Sequence, residues 1–186
     1  MIIIKGKIVV ISGPSGVGKG TICKRIMELI NAKFSVSTTT RSPREGEING
    51  KDYYFVSTEV FREKIKNNEF LEYNIYNENY YGTSKNEVLD IINKGINVLL
   101  EIDVNGAYNI KKIFPEALLI YIAPPSMEVL RQRLIDRRTE EISVIENRLK
   151  IAEEELKMVE FYDYVIVNDD LDKAILEVKE CILKKI

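Results

Sequence analysis

Short apolar runs alternate with amphipathic stretches along most of this 186-residue chain, and the alternation predicts strands and helices in turn. Residues 7–12 (KIVVIS) form a continuous apolar run of strand length, suited to a strand covered on both faces of a parallel sheet. Ile22, Ile26, Leu29 and Ile30 follow at helical spacing. Runs at 96–102, 117–123 and 164–167 predict further buried strands, interleaved with helices over 84–94 and 104–112. Pro124 and Pro125 close the third run, and Ser126 caps a helix that carries Leu130 and Leu134. On the next helix Ile142, Ile145, Leu149, Ala152, Leu156 and Val159 step by three or four; Leu171, Ala174, Ile175, Val178 and Ile182 give the face of a closing helix.

The middle of the chain breaks this rhythm. Residues 33–37 read as a strand, after which 38–44 are rich in hydroxyls and hold Arg41 and Arg44, with Pro43 stopping any helix. Turn chemistry at 45–50 leads to a short strand at 53–56 and a helix capped by Ser57 or Thr58 that runs to 66. Residues 70–76 are strand-like, and 79–83 (NYYGT) read as a tight, aromatic-flanked loop. The expected organisation is an α/β, three-layer core with a parallel sheet built from 1–34, 84–125 and 161–186. Two inserts interrupt it, a mostly β lobe at 35–83 and a helical stretch at 126–160.

The chemistry begins where the first strand meets the first helix. The stretch GPSGVGKGT comprises Gly13, Pro14, Ser15, Gly16, Val17, Gly18, Lys19, Gly20 and Thr21. Glycines there turn backbone N–H groups inward, and the helix N-terminus adds a field that favours anions. Lys19 adds a mobile point charge for β- and γ-phosphates, so the loop reads as a polyphosphate cradle rather than a plain glycine turn. The position after the lysine, normally a hydroxyl residue, is Gly20; the hydroxyl role toward Mg²⁺ is therefore assigned to Thr21. Glu101 and Asp103 end the 96–102 strand at the edge where ligands bind in an open parallel sheet.

Composition narrows the function. Lys plus Arg total 27 against 29 Asp plus Glu, a balance that argues against a general nucleic-acid binder. Five of nine arginines nevertheless crowd into 131–148, either as a solvated helix face or as a cationic lid. The chain has no histidine, which removes the usual general base near neutral pH and points to chemistry driven by positioning and charge. Cys23 and Cys181 are far apart and fit a reducing cytoplasm. The apolar start at residues 1–4 is interrupted by Lys5 and Lys7 and reads as neither a signal peptide nor a membrane span.

Taken with these features, SVSTTTRSPREGEINGKDYYFV (35–56), FLEY (70–73), NYYGTS (79–84), LEIDVNGA (100–107), PPS (124–126) and YVIVNDD (164–170) resemble guanylate kinase, in order and along essentially the whole chain. The resemblance implies a P-loop NTPase-type core with a GMP-binding lobe at 35–83 and a lid at 126–160. It implies phosphoryl transfer from ATP, with Mg²⁺, to GMP and to dGMP, giving ADP and the diphosphate in guanine nucleotide synthesis. It assigns ATP to residues 13–21 with Asn168 and Asp169 on the adenine side. It assigns GMP to Ser37, Arg41, Arg44, Tyr53, Glu72, Tyr81, Gly82, Thr83, Glu101 and Asp103. Arg41, Arg44 and the two phenols would grip the acceptor phosphate, whose oxygens match guanidinium forks. Glu72, with Ser37 and Thr83, would read guanine N1–H and the 2-amino group, a pair that adenine lacks. Lys19, Arg44, Arg137 and Arg148 are the implied catalytic cations, and Asp103 reaches the metal through water. Arg138 stands where glycine is common in the family. The resemblance implies a cytoplasmic monomer with ATP and GMP as its partners and no nucleic-acid or membrane partner. Two other readings are a non-catalytic, guanylate-kinase-like peptide-binding module and a kinase of the same fold acting on AMP or a phosphorylated sugar; the intact phosphate loop argues against the first and Glu72 against the second.

Overall fold

The computed structural model describes residues 6–136 and 141–186. In chain order its elements are β1 (Ile8–Ser12), α1 (Lys19–Met27), β2 (Ala32–Phe34), β3 (Thr38–Thr39), β4 (Tyr54–Phe55), α2 (Thr58–Lys66), β5 (Phe70–Tyr76) and β6 (Asn79–Ser84). There follow α3 (Lys85–Asn93), β7 (Asn97–Glu101), α4 (Val104–Ile113), β8 (Leu118–Ala123), α5 (Met127–Asp136), α6 (Ile142–Leu156), β9 (Tyr164–Val167) and α7 (Leu171–Leu183).

Five strands pair in the order β2-β7-β1-β8-β9, every pair parallel. Their side chains alternate between two apolar layers, as a strand covered on both faces requires. Val9, Ile11, Leu99, Ile120 and Ile122 meet Ile22 and Ile26 of α1, Leu130 of α5, Leu149 of α6 and Val178 of α7. Val10, Val98, Leu100, Leu119 and Tyr121 meet Val88 and Ile92 of α3 and Ala107 and Ile110 of α4 on the other side. This is the three-layer α/β core that the apolar runs predict. Because all five strands run the same way, the segments that leave β1, β7, β8 and β9 emerge along one edge. Gly13, Asp103, Pro124 and Asn168 are thereby brought to a common rim.

The remaining strands form a second sheet in the order β4-β3-β6-β5. Here one expectation is corrected: residues 79–83 are not a loop but most of β6, which pairs antiparallel with β5 from Tyr76↔Asn79 to Phe70↔Ser84. The turn is the two residues before them, Asn77 at φ 46° and Glu78 at φ 65°. A two-residue hairpin with both central residues at positive φ matches the twist of the flanking strands, and tyrosines suit a pleated surface. The polar pair Asn77-Glu78 gave no glycine to mark the turn, so the aromatic stretch beside Gly82 was read as the bend.

Ser57 and Ser126 cap their helices as expected, and Ser84 and Asp103 cap two more. Ser57 accepts from the Val60 N–H, Ser84 from Glu87, Asp103 from Gly106 and Ser126 from Val129. The apolar stripe of α6 buries Ile145, Leu149 and Ala152, while Ile142 is exposed and Val159 begins a separate 3₁₀ turn. No described helix is long and apolar enough to cross a membrane.

Glu78 sits in the left-handed region without the freedom of glycine there. We expect Glu78→Gly to stabilise the protein by about 0.5–1 kcal/mol, read as a higher denaturation midpoint in urea at unchanged slope.

Candidate active site

The glycine-rich stretch wraps the end of β1. Gly13 stands at φ 139°, and a Cβ there would lie 2.2 Å from the carbonyl oxygen of Ile122 in β8, so no other residue fits. Lys19 opens α1 and folds back across the loop, its Nζ donating to the carbonyls of Gly13 at 2.5 Å and Pro14 at 3.0 Å. Asn168 braces the loop from β9. It is only 5% exposed, its Nδ2 donates to the Val17 carbonyl at 2.8 Å, and its own carbonyl accepts from Arg133 Nη2 at 2.8 Å. Asp169 and the exposed Thr21 lie with Arg133 and Leu171 along an outer groove beside this brace. Nothing in the sequence marks Arg133 apart from Arg131 as the arginine of α5 that reaches this brace.

Between the loop and the second sheet lies one chamber. Gly13, Ser15, Gly16, Gly18, Lys19 and Gly20 line it from the core, and Ser37, Arg41, Arg44, Tyr53, Glu72, Tyr81 and Gly82 line it from the β lobe. Glu47, which sequence reasoning passed over as turn residue, organises the two lobe arginines. Its carboxylate accepts from Arg41 Nη2 at 2.8 Å and from the Arg44 backbone N–H at 2.7 Å. The Arg41 guanidinium also lies over the rings of Tyr53 and Phe55, at 5.4 and 5.8 Å from their centroids. Tyr53 and Tyr81 meet edge to face at 6.0 Å. Two cations, two phenols and a fixed carboxylate brace thus form an anion-binding wall.

Deeper in the chamber, Glu72 is 7% exposed and accepts a hydrogen bond from Thr83 Oγ1 at 2.5 Å. Its other oxygen would stand 2.8 Å from a Cβ on residue 106, so Gly106 leaves the room this carboxylate needs. Burial pushes the Glu72 pKa up to about 7, against the pull of the Thr83 hydrogen bond and with a further push from Asp103. Asp103 is held at both oxygens, by the Gly106 N–H at 2.8 Å and by Asn74 Nδ2 at 3.1 Å. Asn74 is a second residue that sequence reasoning missed; its strand pattern carried no mark of function.

Glu101 faces the first turn of α1. A Cβ on Gly20 would sit 3.7 Å from both of its carboxylate oxygens, so the acid occupies the flank of the position that lacks a hydroxyl. Helix α6 contributes Arg148, 6% exposed, whose Nη1 donates to Ser15 Oγ in the loop. Arg137 falls outside the described residues. A further residue of α6, Glu155, lines the same chamber and is 8% exposed. Among the described residues no three or more His, Cys, Asp or Glu side chains gather into a metal cage.

A parallel sheet with a glycine-lysine loop at its first strand, facing the arginines of a second sheet and Arg148 of α6, defines a P-loop phosphotransferase. The comparison with solved structures agrees on the fold: a shikimate kinase from Bacteroides thetaiotaomicron matches with a TM-score of 0.57 at 14% identity, over 95% of this chain and 98% of that one. A crystal structure of guanylate kinase from Anaplasma phagocytophilum matches far more closely, with a TM-score of 0.84 and 37% identity over all of this chain and 89% of that one. The guanylate kinase of Clostridium tetani is 49% identical over 178 residues, 96% of this chain and 86% of the relative. The family model described as guanylate kinase matches residues 5–185. The chain belongs to the guanylate kinase family.

The raised Glu72 pKa has a consequence for stability. The folded state holds this proton more tightly than the unfolded chain, whose carboxyl titrates near its ordinary value of 4.5. Stability from this group is therefore full below about pH 4.5 and is lost as pH rises through about 7. We expect Glu72→Gln to gain on the wild type as pH increases from about 5 to about 8, by on the order of 3 kcal/mol in ligand-free protein, measured by urea denaturation at each pH.

Proposed function

We propose that this chamber is where the guanylate kinase reaction runs, with ATP on the loop side and GMP on the β-lobe side. The chain is an ATP:GMP phosphotransferase, and the observation that supports this placement of its substrates is the single cavity shared by Lys19, Arg41, Arg44, Glu72, Asp103 and Arg148. The division into core, acceptor lobe at 35–83 and lid at 126–160 belongs to the same reading.

On the donor side, backbone N–H groups of residues 13–20 and the start of α1 would cradle the phosphates, with Lys19 exchanging the Gly13 and Pro14 carbonyls for phosphate oxygens. The brace Asn168–Val17 holds that cradle in shape, and Asp169 flanks the adenine. On the acceptor side, Arg41, Arg44, Tyr53 and Tyr81 take the GMP phosphate. Glu72 and Ser37 read the guanine edge, with Thr83 aiming Glu72 and Gly82 lining the wall. Binding guanine gives the buried carboxylate two donors, which favours its ionised form; a base without that pair leaves it unsatisfied.

Glu101 and Asp103 are hard oxygen donors on the chamber floor and suit Mg²⁺ held through water. Thr21, exposed on the outer groove, lies off that floor, so the two acids carry more of this role than Thr21 does. Magnesium brought in with ATP supplies neutralising charge for the β- and γ-phosphates. The nucleophile is an anionic phosphate oxygen of GMP, so alignment and charge suffice and no histidine base is needed. Arg44, Arg148 and Arg137 would stabilise charge on the group in flight, and the closed lid would exclude water.

We expect ADP release to depend on GMP, with dGMP also accepted and AMP poor, in a coupled assay that compares these acceptors with none. Arg148→Met should lower kcat by roughly 10³-fold with little change in KM for GMP. Near-normal turnover of that variant would remove Arg148 from the reaction, and absence of GMP-dependent turnover in folded wild type would overturn the placement of both substrates.

A further inference from the structure

Helix α6 brings two buried polar side chains to the chamber, not one. Arg148 and Glu155 are seven residues apart, two turns along the same face, about 10 Å by helix rise, and both line the cavity. Arg148 reaches Ser15 in the loop. Glu155 lies within electrostatic reach of the Lys19 ammonium and the Asp103 carboxylate. Its Oε2 is buried and makes no hydrogen bond among the described residues. Nearby phenols register its charge, since after burial Glu155 is the largest upward push on both Tyr76 and Tyr121.

Packing alone does not account for a glutamate here. The rest of this face is Ile145, Leu149 and Ala152, and an apolar residue at 155 would extend it. Burying a carboxylate with one oxygen unsatisfied costs stability, so its presence in a cleft marks a functional position. Desolvation pushes its pKa up to about 7, and among the described residues the Lys19 ammonium pulls it back toward ionisation. Lys19 itself is turned onto the loop carbonyls and must leave them to meet ATP.

We propose that Glu155 is a positioning residue for Lys19: with α6 seated, its carboxylate fixes the Lys19 ammonium at the donor phosphates, so that lid closure and donor activation become one event. Arg148 then supplies charge to the transferring group from above, while Glu155 supplies the counter-charge that orients the lysine from behind. Without nucleotide Lys19 rests on the Gly13 and Pro14 carbonyls even with α6 seated, so donor phosphate and Glu155 are both needed to draw it off them; an open lid withdraws Glu155 and Arg148 together. Transfer to water is thereby disfavoured until the acceptor is in place.

The inference rests on the substrate placement given above, and the experiment separates the two. Wild type, E155Q and E155D are compared at pH 8 for GMP-dependent ADP release and for thermal denaturation. E155Q keeps the shape and removes the charge. The expected result is a fall in kcat of about tenfold or more, KM for GMP within about twofold, and a Tm equal to or above that of wild type, because a neutral amide costs less to bury. E155D, which keeps the charge one methylene further back, recovers part of kcat. Wild-type kcat in E155Q overturns the proposal, and so does a loss of kcat matched by a lower Tm, the mark of a purely structural residue. A wild type without GMP-dependent turnover overturns the substrate placement itself, whatever the variants do.

Discussion

The constraint on which everything else depends is that five strands run in the same direction with β1 at the centre. A parallel sheet puts all its strand ends on one rim, so the turn after β1 must share that rim with the acids after β7, the prolines after β8 and the asparagine after β9. The loop is then held by its neighbours. Ile122 of β8 presses against Gly13, and Asn168 hydrogen-bonds Val17. A backbone cradle for phosphate is useful only if it does not reorganise when charge arrives, and these two contacts supply that rigidity. The second sheet and α6 meet the loop at the same rim, which is why residues as distant in sequence as Ser37, Asp103 and Arg148 face one cavity.

Charge balance governs that cavity. Lys19, Arg41, Arg44 and Arg148 confront Glu72, Glu101, Asp103 and Glu155 across one space. The acids are not spread evenly. Glu47 holds Arg41 and the Arg44 backbone, Glu101 stands beside Gly20, and Glu155 lies within electrostatic reach of Lys19. Glu72 differs in being buried beside Thr83 and Gly106 without a cation among the described residues, and in the proposed function that leaves it for the neutral guanine edge.

The sequence made the core legible because apolar runs of strand length, covered on both sides, leave little ambiguity between helix and strand once glycine and proline mark their ends. That the glycine-lysine loop and residues of the second sheet would face one chamber was legible through motif and resemblance. What escaped did so for physical reasons. β6 was read as a loop because its hairpin turns at Asn77-Glu78, where positive φ is taken by residues with no glycine signature. Glu47 and Asn74 act through other residues, holding Arg41 and Asp103, and a side chain that aims another leaves no periodic trace. Glu155 was hidden in a helix rich in acids, where only the fold shows which glutamate points inward. The lysine-glycine step at 19–20 was the visible irregularity of the loop; the structure sets the Glu101 carboxylate against it.

At the centre of this account is direct transfer: donor and acceptor phosphates meet in one chamber, aligned by cations, with no covalent relay through the protein. The measurement that tests it most directly is the stereochemical course at phosphorus, using ATP made chiral at the γ-phosphoryl group by oxygen isotopes and sulfur, with GMP as acceptor. A single in-line displacement gives inversion of configuration in the GDP product. Retention would mean two displacements and a phosphorylated enzyme, and would contradict the account.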